Sequence, residues 1–328
     1  LLHVSNLYYT GPQTELAELL VNNSFADRVF MANSGAEANE AAIKLARIAS
    51  ATERYEIITL EGSFHGRTLA TVTATAQPKF HKGFEPLPAG FRYAPFGDIN
   101  KIAELITPQT CAILCEPLQG EGGVRPLAAD YLKAIRELCD AHGLLLIFDE
   151  VQTGMGRTGT LFAHEQYDIR PDILTCAKAL GNGMPIGAML TTNKVATSFQ
   201  PGDHASTFGG NPVACAAGLA VCRVLSEQRL SDAAGELGHR IIHAMHRQVG
   251  DLDGVVKIRG RGLMIGIQLD RPCAELVAQA LERGLLINVT AERVIRLLPP
   301  LILTDEDADL LVERLSGLIR NFVTEPIH

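Results

Sequence analysis

The chain has 328 residues, of which 47% are hydrophobic and 20% charged, and its formal net charge is −8. This length suits one large domain and a smaller one, and the composition is typical of a compact enzyme and excludes a disordered or fibrous protein. The negative charge, together with the absence of any run rich in lysine and arginine, argues against a protein that binds nucleic acid.

The first part of the chain alternates predicted strands with predicted helices. Strands are predicted at residues 28–32, 57–60, 111–116, 144–148, 172–177 and 186–191, and helices at 14–22, 36–50 and 129–142. Residues 78–96, with four prolines and four phenylalanines, are predicted to be irregular. Repeated strand–loop–helix units predict a mainly parallel α/β sheet with ligands at the carboxyl ends of its strands.

The composition changes after the long helix predicted at residues 213–227. Charged helices are predicted at 230–249, 273–283 and 305–322, and short strands at 255–258, 263–269 and 294–297. This pattern predicts a smaller α+β domain. We place the boundary inside the long helix, so that the large domain covers residues 1–216 and the small domain residues 217–328.

The seven cysteines are scattered, with no CxxC pair and no nearby histidine to complete a zinc site. They are typical of reduced core residues in a cytoplasmic protein. No metal site is predicted, because His65 and His81 lack a partner at ligand spacing and His164-Glu165 lacks the second histidine of HExxH. The apolar run at residues 144–148 is too short to span a bilayer, and no signal-peptide pattern is present.

Lys178 follows the predicted strand 172–177 and precedes two glycines. A lysine in such an apolar, glycine-rich setting is typical of a nucleophilic lysine that faces a ligand. The alternative is a lysine that extends from a loop into solvent. This stretch alone leaves both interpretations open.

Two further strand ends carry polar groups. The turn at residues 33–36 leads from a strand into a helix, which predicts either an anion site, most naturally for phosphate, or an ordinary capped helix. Asp149 ends the most apolar strand, and its side chain and that of Glu150 must point to opposite faces. Asp149 can hold a proton on a heteroaromatic ring nitrogen or can cap a loop.

The order of these signals favours one ligand. A phosphate turn, an aromatic residue at Phe64, the acid Asp149 and the lysine Lys178 occur in sequence, each after a predicted strand. A phosphate-bearing aldehyde cofactor needs that set. Arg67 and Arg296 are candidates for binding substrate carboxylates, with Glu121 able to neutralise one of them, although each can also be a structural charge.

Six ordered segments carry a resemblance to a known family. They are SGAEANEAAIKLAR, FHGRTLA, EPLQGEGG, IFDEVQTGMGRTG, PDILTCAKALGNGMPIGAML and STFGGNP. They resemble the signature segments of the class III, fold-type I pyridoxal-phosphate aminotransferases. FADRVFMANSGAEANEAAIKLAR and HVSNLYYTGPQTELAELL resemble more narrowly the acetylornithine and succinylornithine aminotransferases. Family members carry several dozen residues before the second of these segments, and we expect this sequence to lack them.

The resemblance implies a large domain with a mainly parallel seven-stranded sheet and helices on both faces, a homodimer with active sites at the subunit interface, and pyridoxal 5′-phosphate as cofactor. Each implied cofactor contact is a residue of the segments above. Lys178 bonds to the cofactor aldehyde, Asp149 pairs with the ring nitrogen, Phe64 and Val151 flank the ring, Gln152 approaches the phenolic oxygen, and Ser34, Gly35 and Ala36 hold the phosphate with the partner subunit's Thr207.

The resemblance also implies a reaction. Arg67 binds the α-carboxylate of an acylated amino acid, and Arg296, with Glu121 as its switchable partner, receives that of glutamate or 2-oxoglutarate. The expected ping-pong reaction moves the ω-amino group of N2-acetylornithine to 2-oxoglutarate, in arginine biosynthesis. Alternatives are succinylornithine, ornithine or 4-aminobutyrate as the donor, or a non-catalytic binding protein with the same fold.

Overall fold

The computed structural model describes residues 1–324, which form two compact units. Unit 1 comprises Leu1–Pro117, Leu127–Met155 and Leu161–Gln228, and unit 2 comprises Leu118–Pro126, Gly156–Thr160 and the described residues from Arg229 onward. The helix Pro212–Glu227, inside which the sequence-based domain boundary falls, lies wholly in unit 1. The boundary at residues 216/217 stays a prediction.

The helices and strands follow the chain in this order. They are α1 (Gly11–Asn22), β1 (Arg28–Ala32), α2 (Gly35–Ala49), β2 (Glu56–Leu60), α3 (Leu69–Ala74), β3 (Phe91–Ala94), α4 (Ile99–Leu105), β4 (Thr110–Cys115), β5 (Leu118–Gln119), β6 (Arg125–Pro126), α5 (Ala129–His142), β7 (Leu145–Asp149), β8 (Ile173–Cys176), β9 (Gly187–Thr191), α6 (Asn193–Ala196), α7 (Pro212–Glu227), α8 (Leu230–Val249), β10 (Val255–Arg261), β11 (Met264–Leu269), α9 (Leu276–Glu282), β12 (Asn288–Thr290), β13 (Val294–Leu297) and α10 (Asp305–Thr324).

Unit 1 is built on a seven-stranded sheet with the order β1-β9-β8-β7-β4-β2-β3. Its pairings are parallel from β8 through β7, β4 and β2 to β3, whereas β9 runs antiparallel to both β8 and β1. The prediction of a mainly parallel seven-stranded sheet is confirmed. Because β1 and β8 both oppose β9, the carboxyl ends of β1, β8, β7, β4 and β2 share one edge of the sheet.

Helices cover both faces of this sheet. Alternate strand residues point to opposite faces, so Ile58 packs in one core cluster with Leu132 and Ile135 of α5, while Ile57 packs in another with Leu45 of α2. All six residues of β4 are buried, as expected for a central strand covered on both faces.

Unit 2 has its own core. The antiparallel sheet β10-β11-β13-β12 packs against helices α8, α9 and α10, whose buried apolar residues form one cluster with those of the strands. The short ribbon β5–β6 contributes Leu118, which packs with Val124 and Met264.

Most predicted elements agree with the structure to within a few residues, but the segment 78–96 differs. It contains a turn of 3₁₀ helix at Pro78–Phe80 and the strand β3, which pairs with β2. This edge strand has four residues, too few to show a period among the surrounding prolines and glycines. The pairing with β2 rather than its own pattern makes it a strand.

The described residues contain no helix that is both long and apolar enough to cross a membrane. The seven cysteines are all free and buried. Burial raises the pKa of the Cys115 thiol well above its ordinary value, which makes it a poor nucleophile.

Candidate active site

A cavity of about 450 Å³ lies where the strands of unit 1 end. This volume is in the range of small-molecule sites, about 300–1,000 Å³. Nine of the predicted site residues line the cavity, namely Ser34, Gly35, Ala36, Phe64, Arg67, Asp149, Val151, Gln152 and Lys178. Thr207 is exposed and is not among the lining residues, while Glu121 and Arg296 belong to unit 2.

The turn after β1 forms the start of α2. Ser34 has an extended backbone, and its Oγ accepts a hydrogen bond from the backbone N–H of Glu37 at 3.2 Å, which makes it the N-cap. The first N–H groups of a helix have no partner within the helix and attract anions. The turn can therefore bind a phosphate through the amides of Gly35 and Ala36.

Two glycines allow close packing around this turn. A Cβ on Gly35 would lie 2.7 Å from Cγ1 of Val151, so glycine lets the valine side chain approach the turn. A Cβ on Gly187, the first residue of β9, would lie 2.3 Å from the backbone oxygen of Ser34. Side chains at either position would displace the walls of the anion site.

Asp149 is the last residue of β7, and three neighbouring groups form hydrogen bonds to its buried carboxylate. Its Oδ2 accepts from Asn39 Nδ2 and lies 2.8 Å from His65 Nδ1, and its Oδ1 accepts from the backbone N–H of Val151 at 3.0 Å. Glu150 does not line the cavity, and its carboxylate accepts hydrogen bonds from the backbone N–H groups of Ala163 and His164. The side chains of Asp149 and Glu150 therefore lie in different surroundings, because successive side chains of a strand point to opposite faces of the sheet.

Lys178 begins a turn of 3₁₀ helix, Lys178–Leu180, close after β8. Its φ of 42° lies in the left-handed region, which is uncommon for a lysine. The residue lines the cavity but is exposed, which differs from the buried environment that its apolar neighbours suggest. The turn after β8 lifts the lysine out of the apolar strand.

Arg67 lies against two aromatic rings. Its guanidinium carbon is 5.6 Å from the ring centre of Phe64 and 4.8 Å from that of Phe80. These are distances for cation–π contacts. Within residues 1–324 no hydrogen bond or ion pair joins the Arg67 guanidinium to another side chain, so its N–H groups can face a carboxylate.

In unit 2, Arg296 Nη1 donates to Glu121 Oε1 at 2.7 Å, and Arg296 Nε donates to Asn288 Oδ1 at 3.0 Å. The backbone of the loop that carries Glu121 is also held. Arg259 donates from Nε to the backbone oxygen of Val124 at 2.7 Å and from Nη2 to the backbone oxygen of Gly123 at 2.6 Å. Burial lowers the pKa of the Arg259 guanidinium. The loop backbone is thus fixed while the Glu121 carboxylate pairs with an arginine.

Three polar residues of the cavity were not identified from the sequence: Asn39, His65 and Glu116. Glu116 accepts a hydrogen bond from the backbone N–H of Phe64 at 3.1 Å. Asn39 interrupts the apolar stripe of α2 and is buried, and this interruption was a usable signal. Nothing in the sequence indicates that His65 lies next to Asp149.

Comparison with known proteins identifies similar chains. Residues 1–319 match the family model described as aminotransferase class-III. The acetylornithine aminotransferase of Methanothermobacter thermautotrophicus is 52% identical over 319 residues, which cover 97% of this chain and 81% of that protein. Acetylornithine aminotransferase 1 of Bordetella bronchiseptica is 49% identical over 330 residues, covering 99% of this chain and 84% of that protein.

Solved structures are similar as well. The ornithine aminotransferase from Toxoplasma gondii ME49 has a TM-score of 0.93 and 32% identity, and the match covers 98% of this chain and 79% of that chain. The acetylornithine aminotransferase from Elizabethkingia anophelis has a TM-score of 0.85 and 34% identity, covering 98% and 82% of the two chains.

Proposed function

Because the chain belongs to the class III aminotransferases, we propose that it moves the ω-amino group of N2-acetylornithine to 2-oxoglutarate. The products are N-acetylglutamate 5-semialdehyde and glutamate, a step of arginine biosynthesis. One observation carries the choice of donor. The relatives named above that are 52% and 49% identical to this chain, over 97% and 99% of its length, are both called acetylornithine aminotransferases.

The enzyme depends on pyridoxal 5′-phosphate, and the cavity of unit 1 fits this group. The start of α2 offers free amides for a phosphate, Asp149 is a carboxylate with room for a further donor, and Lys178 supplies an amine. Pyridoxal phosphate, when bound, supplies an aldehyde that takes up the amino group and a protonated ring that accepts electrons.

We assign the cofactor contacts to the residues that the resemblance implies. Lys178 would hold the cofactor through its Nζ until the substrate amine takes its place, and the freed Nζ would then accept the proton from the substrate carbon that bears the amino group and pass it on to the cofactor. Asp149 accepts a hydrogen bond from the ring nitrogen and so keeps it protonated. Phe64 and Val151 flank the ring, and Gln152 approaches its phenolic oxygen.

We assign the substrate carboxylates to the two arginines. Arg67 binds the α-carboxylate of N2-acetylornithine, and the two aromatic rings at cation–π distance from its guanidinium carbon support this role because they hold the group without using its N–H groups. Arg296 binds the α-carboxylate of glutamate or 2-oxoglutarate when Glu121 releases it. Their 2.7 Å ion pair keeps Arg296 neutralised when no such carboxylate is present.

We further propose that the protein acts as a cytoplasmic homodimer. The partner subunit's Thr207 completes the phosphate site of each cavity. The exposure of Thr207 outside the cavity of its own chain supports this arrangement. The seven free, buried cysteines are typical of a reducing compartment.

The donor is tested by steady-state kinetics of the purified full chain, loaded with pyridoxal phosphate, with 2-oxoglutarate as acceptor. We expect the highest kcat/KM with N2-acetylornithine, ahead of succinylornithine, ornithine and 4-aminobutyrate. A higher kcat/KM for ornithine or 4-aminobutyrate would refute the proposed donor. Cofactor binding without turnover of any of the four would instead favour a non-catalytic binding protein.

The role of Lys178 has a separate test. Borohydride reduction of the loaded protein should fix the cofactor to the wild-type chain and not to Lys178→Ala, as read from the mass of the denatured protein. A cofactor adduct of equal yield in the variant would refute the assignment.

A further inference from the structure

We propose that Asn39 and His65 are positioning residues that hold the Asp149 carboxylate in a fixed direction for the ring nitrogen of the cofactor. This inference rests on the proposed function, because it assumes that Asp149 accepts from that nitrogen. Neither residue contacts the reacting atoms in our assignment. Both act through Asp149.

The hydrogen bonds of Asp149 are divided unequally between its two oxygens. Oδ2 has two partners, Asn39 Nδ2 and His65 Nδ1, both at 2.8 Å. Oδ1 has one, the backbone N–H of Val151 at 3.0 Å. Since each carboxylate oxygen offers two lone-pair positions, Oδ2 is filled and Oδ1 keeps one position. The residue is 3% exposed, so water has little access to the open position.

The surroundings of His65 fix which ring nitrogen carries the proton. Among the described residues, Nε2 is buried and has no hydrogen-bond partner, while Nδ1 lies 2.8 Å from Asp149 Oδ2. A proton on Nε2 would be a buried donor without an acceptor, which is costly. The proton therefore lies on Nδ1 and is donated to Asp149. A neutral imidazole of this kind orients the carboxylate without cancelling its negative charge.

Asn39 fixes the same oxygen from the other side. Its Nδ2 also donates to the backbone oxygen of His65 at 2.7 Å, and its Oδ1 accepts from Thr175 Oγ1 at 2.7 Å. Because both ends of the amide are held, the side chain cannot turn its oxygen towards Asp149. One network thus joins α2, β7, β8 and the segment after β2.

Asn39 also links Asp149 to the anion site. It lies four residues after Gly35 on the same helix, which is about one helical turn. The first turn of α2 offers its amides to the phosphate, and the next turn holds the acid for the ring nitrogen. A single rigid helix therefore sets the distance between the two ends of the cofactor site.

The test uses the full chain and five variants, of which Asp149→Asn is the reference for loss of the Asp149 charge. His65→Leu and Asn39→Leu each remove one donor to Asp149, while His65→Asn keeps an N–H near the position of Nδ1. His81→Leu is the matched control, because His81 lies 2.7 Å from the backbone oxygen of Thr75 while the backbone N–H of His65 donates to the hydroxyl of the same threonine. Measurements are the dissociation constant of pyridoxal phosphate, its visible absorption band, and kcat and KM for both substrates.

We expect His65→Leu and Asn39→Leu to weaken cofactor binding by about 10- to 100-fold, comparable to the loss of affinity at metal sites when a partner that orients a ligating side chain is removed. The absorption band should shift in the same direction as in Asp149→Asn, and kcat should fall while KM for both substrates stays within about threefold, since no substrate contact is removed. His65→Asn should recover most of the affinity, and His81→Leu should match the wild type.

Three results would overturn the inference. In the first, Asp149→Asn changes the affinity and the band but His65→Leu and Asn39→Leu do not, so the inference fails while the proposed function stands. In the second, both variants lower only the thermal midpoint of the cofactor-free protein, which shows a purely structural role. In the third, Asp149→Asn itself leaves band and affinity unchanged, and the proposed role of Asp149 fails as well. If His65→Leu does not fold, as judged by circular dichroism, Asn39→Leu and His65→Asn decide.

Discussion

The ion pair between Glu121 and Arg296 leads to a prediction about the second substrate. If Arg296 must leave Glu121 before it binds an α-carboxylate, the energy of the pair is lost from the binding of 2-oxoglutarate. Glu121→Gln keeps the size of the side chain and removes its charge. We therefore expect the variant to bind 2-oxoglutarate more tightly than the wild type does.

The magnitude follows from the environment of the pair. The two side chains are 10% and 32% exposed for Arg296 and Glu121, and the N···O distance is 2.7 Å. The pair is thus less exposed than a surface ion pair, worth about 0.2–1 kcal/mol, and resembles a hydrogen bond to a charged group, worth about 1.5–3 kcal/mol. Taking about 1–2 kcal/mol, KM for 2-oxoglutarate should fall about 5- to 30-fold.

The assay separates the two half-reactions. Single-turnover absorbance measurements follow the loaded enzyme with N2-acetylornithine, and the aminated enzyme with 2-oxoglutarate. The rate constant at saturating N2-acetylornithine should stay near that of the wild type, while the 2-oxoglutarate concentration giving half-maximal rate should fall. Glu313→Gln, the same charge change at an exposed position of unit 2, is the control and should alter neither.

An unchanged or higher KM for 2-oxoglutarate in Glu121→Gln would refute the reasoning. It would mean that Arg296 does not have to leave Glu121 in order to bind the acceptor, or that Arg296 does not bind it. Arg296→Lys then distinguishes the two cases, because a lysine keeps the charge but loses the planar fork. A KM near that of the wild type in this second variant would exclude Arg296 from acceptor binding.

Three further predictions concern unit 1. Phe80→Leu removes one of the two rings that contact Arg67 and should raise KM for N2-acetylornithine about 2- to 5-fold, since an exposed cation–π contact is worth about 0.5–1 kcal/mol. We expect kcat to stay unchanged. Steady-state kinetics test both values, and an unchanged KM would contradict the prediction. Gly35→Ala forces a Cβ against Val151 and should weaken pyridoxal phosphate binding about 10-fold. Titration of the cofactor-free protein measures this affinity. An affinity equal to that of the wild type would show that the valine side chain moves aside without cost. Burial and then the charge of Lys44 lower the pKa of His204 below 6.5, and Lys44 Nζ lies 3.0 Å from its Nδ1. Because the folded protein binds a proton at His204 less readily than the unfolded chain does, the contribution of neutral His204 to folding stability is present above pH 6.5 and is lost as the pH falls through the lowered pKa. The thermal midpoint should therefore drop more between pH 7.5 and 5.5 in the wild type than in His204→Gln. Equal drops in the two proteins would contradict the prediction.

Much of the fold follows from local pattern. The strand β1 and helix α5 have the bounds that their sequences predict, and Gly143 ends α5 in the left-handed conformation, with φ 62°, that favours glycine. In these segments, the spacing of the apolar residues and the residue types at the turns predict the same bounds. Strand β3 is different, since a short edge strand depends on its neighbour for its hydrogen bonds.

In the candidate site, too, some residues follow from local sequence and others only from the folded arrangement. The turn at Ser34 and the acid at Asp149 follow from their places at strand ends, which a sequence reveals. The Asn39–His65–Asp149 network does not, because its members come from three separate stretches of the chain and meet only when the sheet forms. The sequence also does not reveal that Lys178 is exposed or that it adopts a positive φ, which is rare for lysine.

The reversed direction of β9 limits where the chain can be lengthened. Its first residue, Gly187, lies against Ser34, and the ten residues 177–186, which include Lys178, connect β8 to β9. That connection therefore has one end at Lys178 and the other at Ser34, the two residues that we propose hold the aldehyde and the phosphate of the cofactor. An inserted residue between 179 and 186 would disturb both at once. The same insertion between α2 and β2, at the opposite edge of the sheet, should be tolerated. Loops of this enzyme can therefore be lengthened at that edge of the sheet but not at the edge that carries Lys178 and Ser34.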